Sequence, residues 1–381
     1  MRRPARLVFA FLAIALTGIV SGAFLQRNHA FMPLRRFFQG RPVSVPPPAW
    51  SILDWDLAWK DKTPYQYRLR DLSFAELERN RSRYLTKLEE VLRLPAIPQG
   101  FSSRVRTQEV ADLGPLRREK IEIETEPGLW VPFYVFIPKG LEKPAPAILV
   151  FHGHSSGKIE TAGIVDSDQR GNALALAQAG FVTVAPDFRG FGELGWSGEW
   201  EDEIGYHYAR SIHIQDALHN IAVGRTLLGT YIHDNRKILA YVKTRKEVDP
   251  KRIGVTGTSM GADVAIWFAV LNPEIKVIVA AGSPFQILRP KPRDFSEFHP
   301  CIHTIPEIDR FFRMRELPLL LAPRPFLIDL NKVRFGAPLF ESWLETLYRE
   351  TGNTEKFRIR DHREGDVYHN TAAIRWFKRW L

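Results

Sequence analysis

Hydrophobic positions along the chain fall into three patterns. Residues 7–25 form an unbroken uncharged run of 19 residues. Further on, Leu77, Tyr84, Leu85, Leu88, Val91 and Leu92 recur at helical spacing behind Ser73 and Glu76. A serine that caps a backbone N–H, three residues ahead of a glutamate that reaches back, predicts a helix start. Pro95 and Pro98 predict its end. From residue 147 onward, short continuous apolar runs alternate with helical stretches. Residues 147–151, 181–185, 253–256, 277–281 and 325–329 read as strands, the continuous runs being those expected of strands buried on both faces. Residues 357–360 predict a further strand, and 168–179, 209–244, 260–271, 337–351 and 371–381 predict helices. Ahead of them, 120–125 and 130–137 flank Pro127-Gly128 and predict a β-hairpin. Strands alternating with helices predict an α/β fold: a doubly wound, mostly parallel sheet with helices on both faces.

Arg2, Arg3 and Arg6 precede the first run. Basic residues before an apolar stretch, and none inside it, are the pattern of an N-terminal membrane-targeting helix or secretory signal. Its length is close to the roughly 20 residues that span a bilayer. Two outcomes stay open: cleavage after Ala23, which follows Ser21 at small-x-small spacing, and an uncleaved anchor that holds the chain to the membrane. In both, the remainder is expected to be exported, periplasmic or extracellular. The absence of a cysteine after the run excludes a lipoprotein anchor. Residues 26–110 are expected to be a linker and N-terminal helical arm, and 111–381 the α/β domain. Residues 283–320 break the alternation, carry several prolines and predict a lid.

Composition narrows the class only slightly. With 45% hydrophobic and 25% charged residues, a mostly disordered chain is excluded, and a single long apolar run excludes a multi-span membrane protein. The net charge of +10 comes with no nucleic-acid-reading motif, so no nucleic acid partner is expected. The single cysteine, Cys301, excludes an intrachain disulfide and any Cys-based zinc cluster.

Candidate chemistry starts at Gly257-Thr258-Ser259-Met260-Gly261, between a predicted strand and a predicted helix. That context predicts a nucleophile elbow, a tight turn that lifts the Ser259 hydroxyl above the sheet. The helix opening at Met260 directs its first N–H groups toward the same place, and the Met260 N–H is the candidate oxyanion donor. A second backbone donor is expected from His154, in the turn Phe151-His152-Gly153-His154 after a strand. Two histidines at i, i+2 without a neighbouring carboxylate make a poor metal site. Gly157-Lys158 belongs to no phosphate-binding loop.

On these residues the chain resembles the α/β-hydrolase superfamily, nearest to the acetyl xylan esterase and dienelactone hydrolase-like esterases. The matching stretches are 146–154, 185–193, 249–261, 322–328 and 375–381, within about residues 73–381. The resemblance implies the α/β-hydrolase fold and a carboxylic-ester hydrolase working through an acyl-serine. It further implies a small-molecule or carbohydrate ester substrate and no metal or organic cofactor. It marks Asp187-Phe188-Arg189-Gly190 as structural. Oligomeric state is left open.

The support of the serine departs from that family. The place of the family's aspartate falls at Arg334 and that of its histidine at Asp366. An arginine cannot orient an imidazole, and a carboxylate is too weak a base for a serine hydroxyl. Two readings stay open. In one, the triad is rearranged: His369, or else His362, is the base, and Asp329, or else Asp366, is the acid. In the other, the protein is a catalytically impaired relative acting as a binding or scaffold protein. Of the other histidines, His207, His213 and His219 are spaced by six and do not share a helix face. His299 and His303 are expected mainly in a surface loop, with a metal or substrate role secondary.

Overall fold

The continuous apolar runs become the middle of one nine-stranded sheet. The computed structural model describes residues 64–195, 203–282, 299–331 and 340–381, all within the compact unit Lys60–Leu381. The expectations for residues 7–25, for the linker up to residue 63 and for Arg334 lie outside the described residues, as do 283–298 of the expected lid. No helix of the described residues is long and apolar enough to cross a membrane.

The strands are β1 (Val105–Leu113), β2 (Leu116–Glu126), β3 (Leu129–Pro138), β4 (Ala145–Phe151) and β5 (Val182–Pro186), followed by β6 (Val248–Thr258), β7 (Ile275–Ala281), β8 (Phe326–Leu330) and β9 (Phe357–Asp361). Their order is β1-β2-β3-β5-β4-β6-β7-β8-β9. β1, β2, β3 and β5 pair antiparallel in turn, and β5, β4, β6, β7, β8 and β9 run parallel. This is the predicted α/β-hydrolase fold, a mostly parallel sheet wound on both faces.

Alternation along each strand assigns the two cores. Ala147, Leu149 and Phe151 face one hydrophobic cluster, while Ile148 and Val150 face the other. The first cluster also takes in Leu77, Tyr84 and Leu88 from the helix Phe74–Leu92, and Leu344 and Tyr348 from the helix Glu341–Glu350. The second takes in Ala173 and Leu176 from the helix Asn172–Gln178, and Trp376 and Phe377 from the helix Asn370–Trp380. The predicted capping box is formed: the Glu76 N–H donates to Ser73 Oγ at 3.4 Å, and the Ser73 N–H donates to Glu76 Oε2 at 2.9 Å.

Three elements differ from expectation. The stretch 209–244 is two helices, Glu203–Ala222 and Leu227–Val242. Gly224 at φ +77° turns the chain between them, and Thr226 restarts the helix by accepting the Gly229 N–H at 3.0 Å. β1 was not predicted. Its side chains are almost all exposed, so no hydrophobic pattern marks it, and its ladder with β2 holds it. Residues 299–321 pack inward: Cys301, Ile302, Ile305, Ile308 and Phe312 join the first core.

Buried charge near the site is paired. Lys158, 1% exposed, places Nζ 2.6 Å from Asp187 Oδ2 and also contacts Glu193. The Lys158 and Glu193 N–H groups donate to the same Asp187 carboxylate at 2.7 and 3.1 Å. Arg189 binds Asp234 in a fork, 2.7 Å to each oxygen, and reaches Glu126 at 2.7 Å. The Asp187–Gly190 stretch therefore ties the loops after β5 to their neighbours.

Candidate active site

Ser259 follows β6 and stands at the N-cap position of the buried helix Met260–Leu271, its side chain making no capping bond. Its backbone has φ 55° and ψ −120°, a conformation that a residue with a Cβ adopts only under strain, at a cost on the order of 1–3 kcal/mol. The two motif glycines allow this turn. A Cβ on Gly257 would lie 2.1 Å from the Gly261 carbonyl oxygen, and one on Gly261 would lie 2.3 Å from that of Phe151. The turn after β4 also abuts the serine, since a Cβ on Gly153 would stand 3.4 Å from Ser259 Cβ. Gln169 holds that turn, accepting the Gly153 N–H at 3.3 Å and donating to Ser155 Oγ at 2.8 Å. Gly153 thus abuts Ser259, and His154, the next residue, lines the same pocket.

The imidazole facing the Ser259 hydroxyl is that of His299. Its Nε2 is 3.4 Å from Ser259 Oγ, and its Nδ1 is 2.7 Å from Asp263 Oδ2. His299 is 3% exposed and Asp263 is fully buried. His303 Nε2 lies 3.4 Å from the same Asp263 oxygen. Both histidines are enclosed rather than in a surface loop as expected. Packing against the first core, which pattern alone does not reveal in a Pro-rich segment, draws them in. Asp263 has a legible signal that sequence reading passed over: it is the sole acid in the otherwise apolar helix Met260–Leu271, where a carboxylate needs a partner.

Asp329 and His369 do meet, 2.8 Å apart. The second nitrogen of His369, Nε2, is 3.1 Å from Glu364 Oε1, and Asp329 also accepts from Arg360 Nη1 at 2.7 Å. Both His369 ring nitrogens are therefore engaged away from Ser259. His362 Nε2 lies 3.9 Å from Asp329 Oδ1, and burial lowers its pKa. Asp366 stands beside the serine: a Cβ on Gly282 would be 1.8 Å from Asp366 Oδ1 and 3.1 Å from the Ser259 nitrogen. Asp366, Ser259, Gly153, Gln169 and Arg170 line one pocket of about 590 Å³, which also takes in Glu160 and Asp168.

Two further groups near the serine are fixed by burial. Cys301 Sγ is 3.2 Å from His154 Nε2, and burial pushes its thiol up to about 12. His152 is fully enclosed, with Nδ1 2.7 Å from the Gly153 oxygen and Nε2 accepting the Phe188 N–H at 3.0 Å. An accepting Nε2 carries no proton, so the ring is neutral with hydrogen on Nδ1. Burial lowers its pKa below the ordinary value.

The unfolded chain binds a proton on this ring near pH ~6.5 while the folded chain resists it. Its contribution to stability is thus complete above that pH and is lost as pH falls through the depressed folded value. Urea unfolding at pH 7 and at pH 5 is expected to give lower stability at pH 5. The drop is expected to be smaller in His152→Gln; an equal drop in that variant removes His152 as a source.

Comparison with known proteins agrees with this architecture. The profile of the family described as "Abhydrolase family" matches residues 57–362. "Putative hydrolase YtaP" of Bacillus subtilis (strain 168) is 29% identical over 270 residues, which are 66% of this chain and 83% of that protein. Among solved structures, "a putative acetyl xylan esterase" from Bacteroides fragilis NCTC 9343 superposes with a TM-score of 0.68 at 22% identity, over 83% of each chain. "A CE15 glucuronoyl esterase" from Teredinibacter turnerae T7901 superposes with a TM-score of 0.55 at 15% identity, over 81% of this chain and 86% of that one. At these identities the two structures speak for the fold.

Proposed function

The chain belongs to the Abhydrolase family, and from that premise we propose that it is an exported serine carboxylic-ester hydrolase acting through an acyl-serine. The observation that carries the reading is the line Ser259 Oγ, His299, Asp263, with contacts of 3.4 and 2.7 Å. A base within reach of a hydroxyl, itself held by a buried carboxylate, is what activation of a serine requires.

Ser259 Oγ attacks the acyl carbon as His299 Nε2 takes its proton. Asp263 keeps Nδ1–H in place and offsets the charge of the imidazolium. The oxyanion is held by the N–H groups of Met260 and His154. Collapse expels the alcohol, which takes the proton back from His299, and water then releases the acid by the same steps in reverse.

Pocket chemistry supports a hydroxyl-rich alcohol portion. Arg170, Asp168 and Asp366 bring guanidinium and carboxylate groups to the pocket that holds the serine, the partners sugar hydroxyls use. A carbohydrate ester fits that lining, and two of the structural neighbours carry acetyl xylan esterase and glucuronoyl esterase in their names. Export rests on the basic-then-apolar N-terminus. The first residue of the mature protein separates cleavage after Ala23 from a retained anchor.

A fluorophosphonate probe tests the chemistry. The folded protein is expected to be labelled once, at Ser259, and to release acid from 4-nitrophenyl acetate; Ser259→Ala is expected to lose both. A folded wild type that takes up no label favours the scaffold reading.

A further inference from the structure

The fold brings together three donors that lie far apart in sequence. His154 comes from the turn after β4, His213 from the helix Glu203–Ala222, and Cys301 from the helix Pro300–His303. Their ligand atoms all lie within 4.8 Å of one another. His154 Nε2 is 3.2 Å from Cys301 Sγ, and the His154 and His213 ring centroids are 4.6 Å apart. We infer that these three side chains form a site for one soft divalent cation of the zinc class, on the wall of the Ser259 cleft.

Zinc binds imidazole nitrogen at about 2.0–2.1 Å and thiolate sulfur at about 2.3 Å, so tetrahedral neighbours lie roughly 3.3–3.7 Å apart. The His154–Cys301 separation of 3.2 Å is close to that range, and the remaining separations, within 4.8 Å, must shorten by up to about 1 Å to close on an ion. The donor set, two imidazoles and one sulfur, selects zinc-like ions over magnesium and calcium. Cys301 and His213 are 2% and 3% exposed, whereas His154 lines the pocket, so the fourth coordination direction is expected toward the cleft. Three protein ligands with one open position is the pattern of an accessible zinc site rather than a closed structural one.

No spacing along the chain marks these three residues as a group. In sequence His154 neighbours His152, His213 lies six residues from His207 and from His219, and Cys301 stands alone. Binding displaces the Cys301 thiol proton to solvent as the sulfur–metal bond forms. The occupied site also bears on the proposed chemistry. The His154 ring lies 4.8 Å from that of His299, so a dication there opposes the imidazolium that His299 must become. This consequence, unlike the site itself, rests on the hydrolase reading.

The test is a titration of the folded full chain with Co²⁺. Because Cys301 is the chain's single cysteine, a thiolate-to-cobalt charge-transfer band in wild type can come from nowhere else. One equivalent producing that band, displaced by Zn²⁺, is the expected result. Cys301→Ser is expected to lose the band. His213→Gln is expected to weaken binding by at least the about 10–100-fold that loss of an outer-sphere partner costs.

No thiolate band in folded wild type overturns the site. So does a cobalt spectrum that survives Cys301→Ser and vanishes in His303→Gln, which places the ion at Asp263, His299 and His303 instead. The band is expected unchanged in Ser259→Ala, so its loss or presence is independent of whether the serine is reactive. Slower fluorophosphonate labelling on Zn²⁺ addition is expected in wild type and not in Cys301→Ser.

Discussion

His299→Gln is expected to lower the rate of Ser259 labelling and of acetyl-ester turnover by about 10²–10⁴-fold, the contribution of a positioned proton acceptor. Glutamine keeps much of the ring's volume and a hydrogen-bonding end toward the buried Asp263, so loss of rate is not confused with loss of fold. Asp263→Asn is expected to act in the same direction, approaching about 10⁴-fold if the amide favours the wrong imidazole tautomer, as in the serine protease template.

His369→Ala is expected to act mainly through stability. It removes the contacts to Asp329 and Glu364, and neither of those is made to the serine. The measurement is the pseudo-first-order labelling rate of each variant alongside its thermal transition. A collapse in rate for His369→Ala, with His299→Gln close to wild type, would sink the assignment and return the base to the C-terminal loop.

The second large effect is on stability. Asp187→Ala is expected to cost about 3–5 kcal/mol, because it strands the enclosed Lys158 ammonium and leaves the half-exposed Glu193 as its remaining carboxylate partner. It also removes the acceptor of the Lys158 and Glu193 N–H groups. For a domain of this size the melting temperature is expected to fall by roughly 10 °C. A change under about 1 kcal/mol in urea unfolding would mean that water reaches the ammonium and that the pair is not sealed.

The parallel strands were legible because burial on both faces leaves no polar position to interrupt them; residues 147–151 show this. The elbow was legible for a steric reason. Gly257 and Gly261 are needed where backbones approach to about van der Waals contact or less, and that need is written in adjacent residues. β1 was invisible because an exposed strand answers to its partner's ladder rather than to a hydrophobic period of its own. The break at Gly224 passed unnoticed because its flanks are both helical.

The sequence alone determined the class of fold and the tight turn at Ser259, since each depends on side chains within a few residues of one another. Asp329 and His369, both named from sequence as candidates, meet at 2.8 Å. Which imidazole faces Ser259 was decided only by tertiary structure. His299 follows the serine by forty residues in a segment without periodicity, and it is carried to Asp263 by the burial of Cys301, Ile302 and Ile305 beside it. The same packing gathered His154, His213 and Cys301. Distances of a few ångströms between side chains depend on how whole elements settle against a core, and no local pattern encodes them.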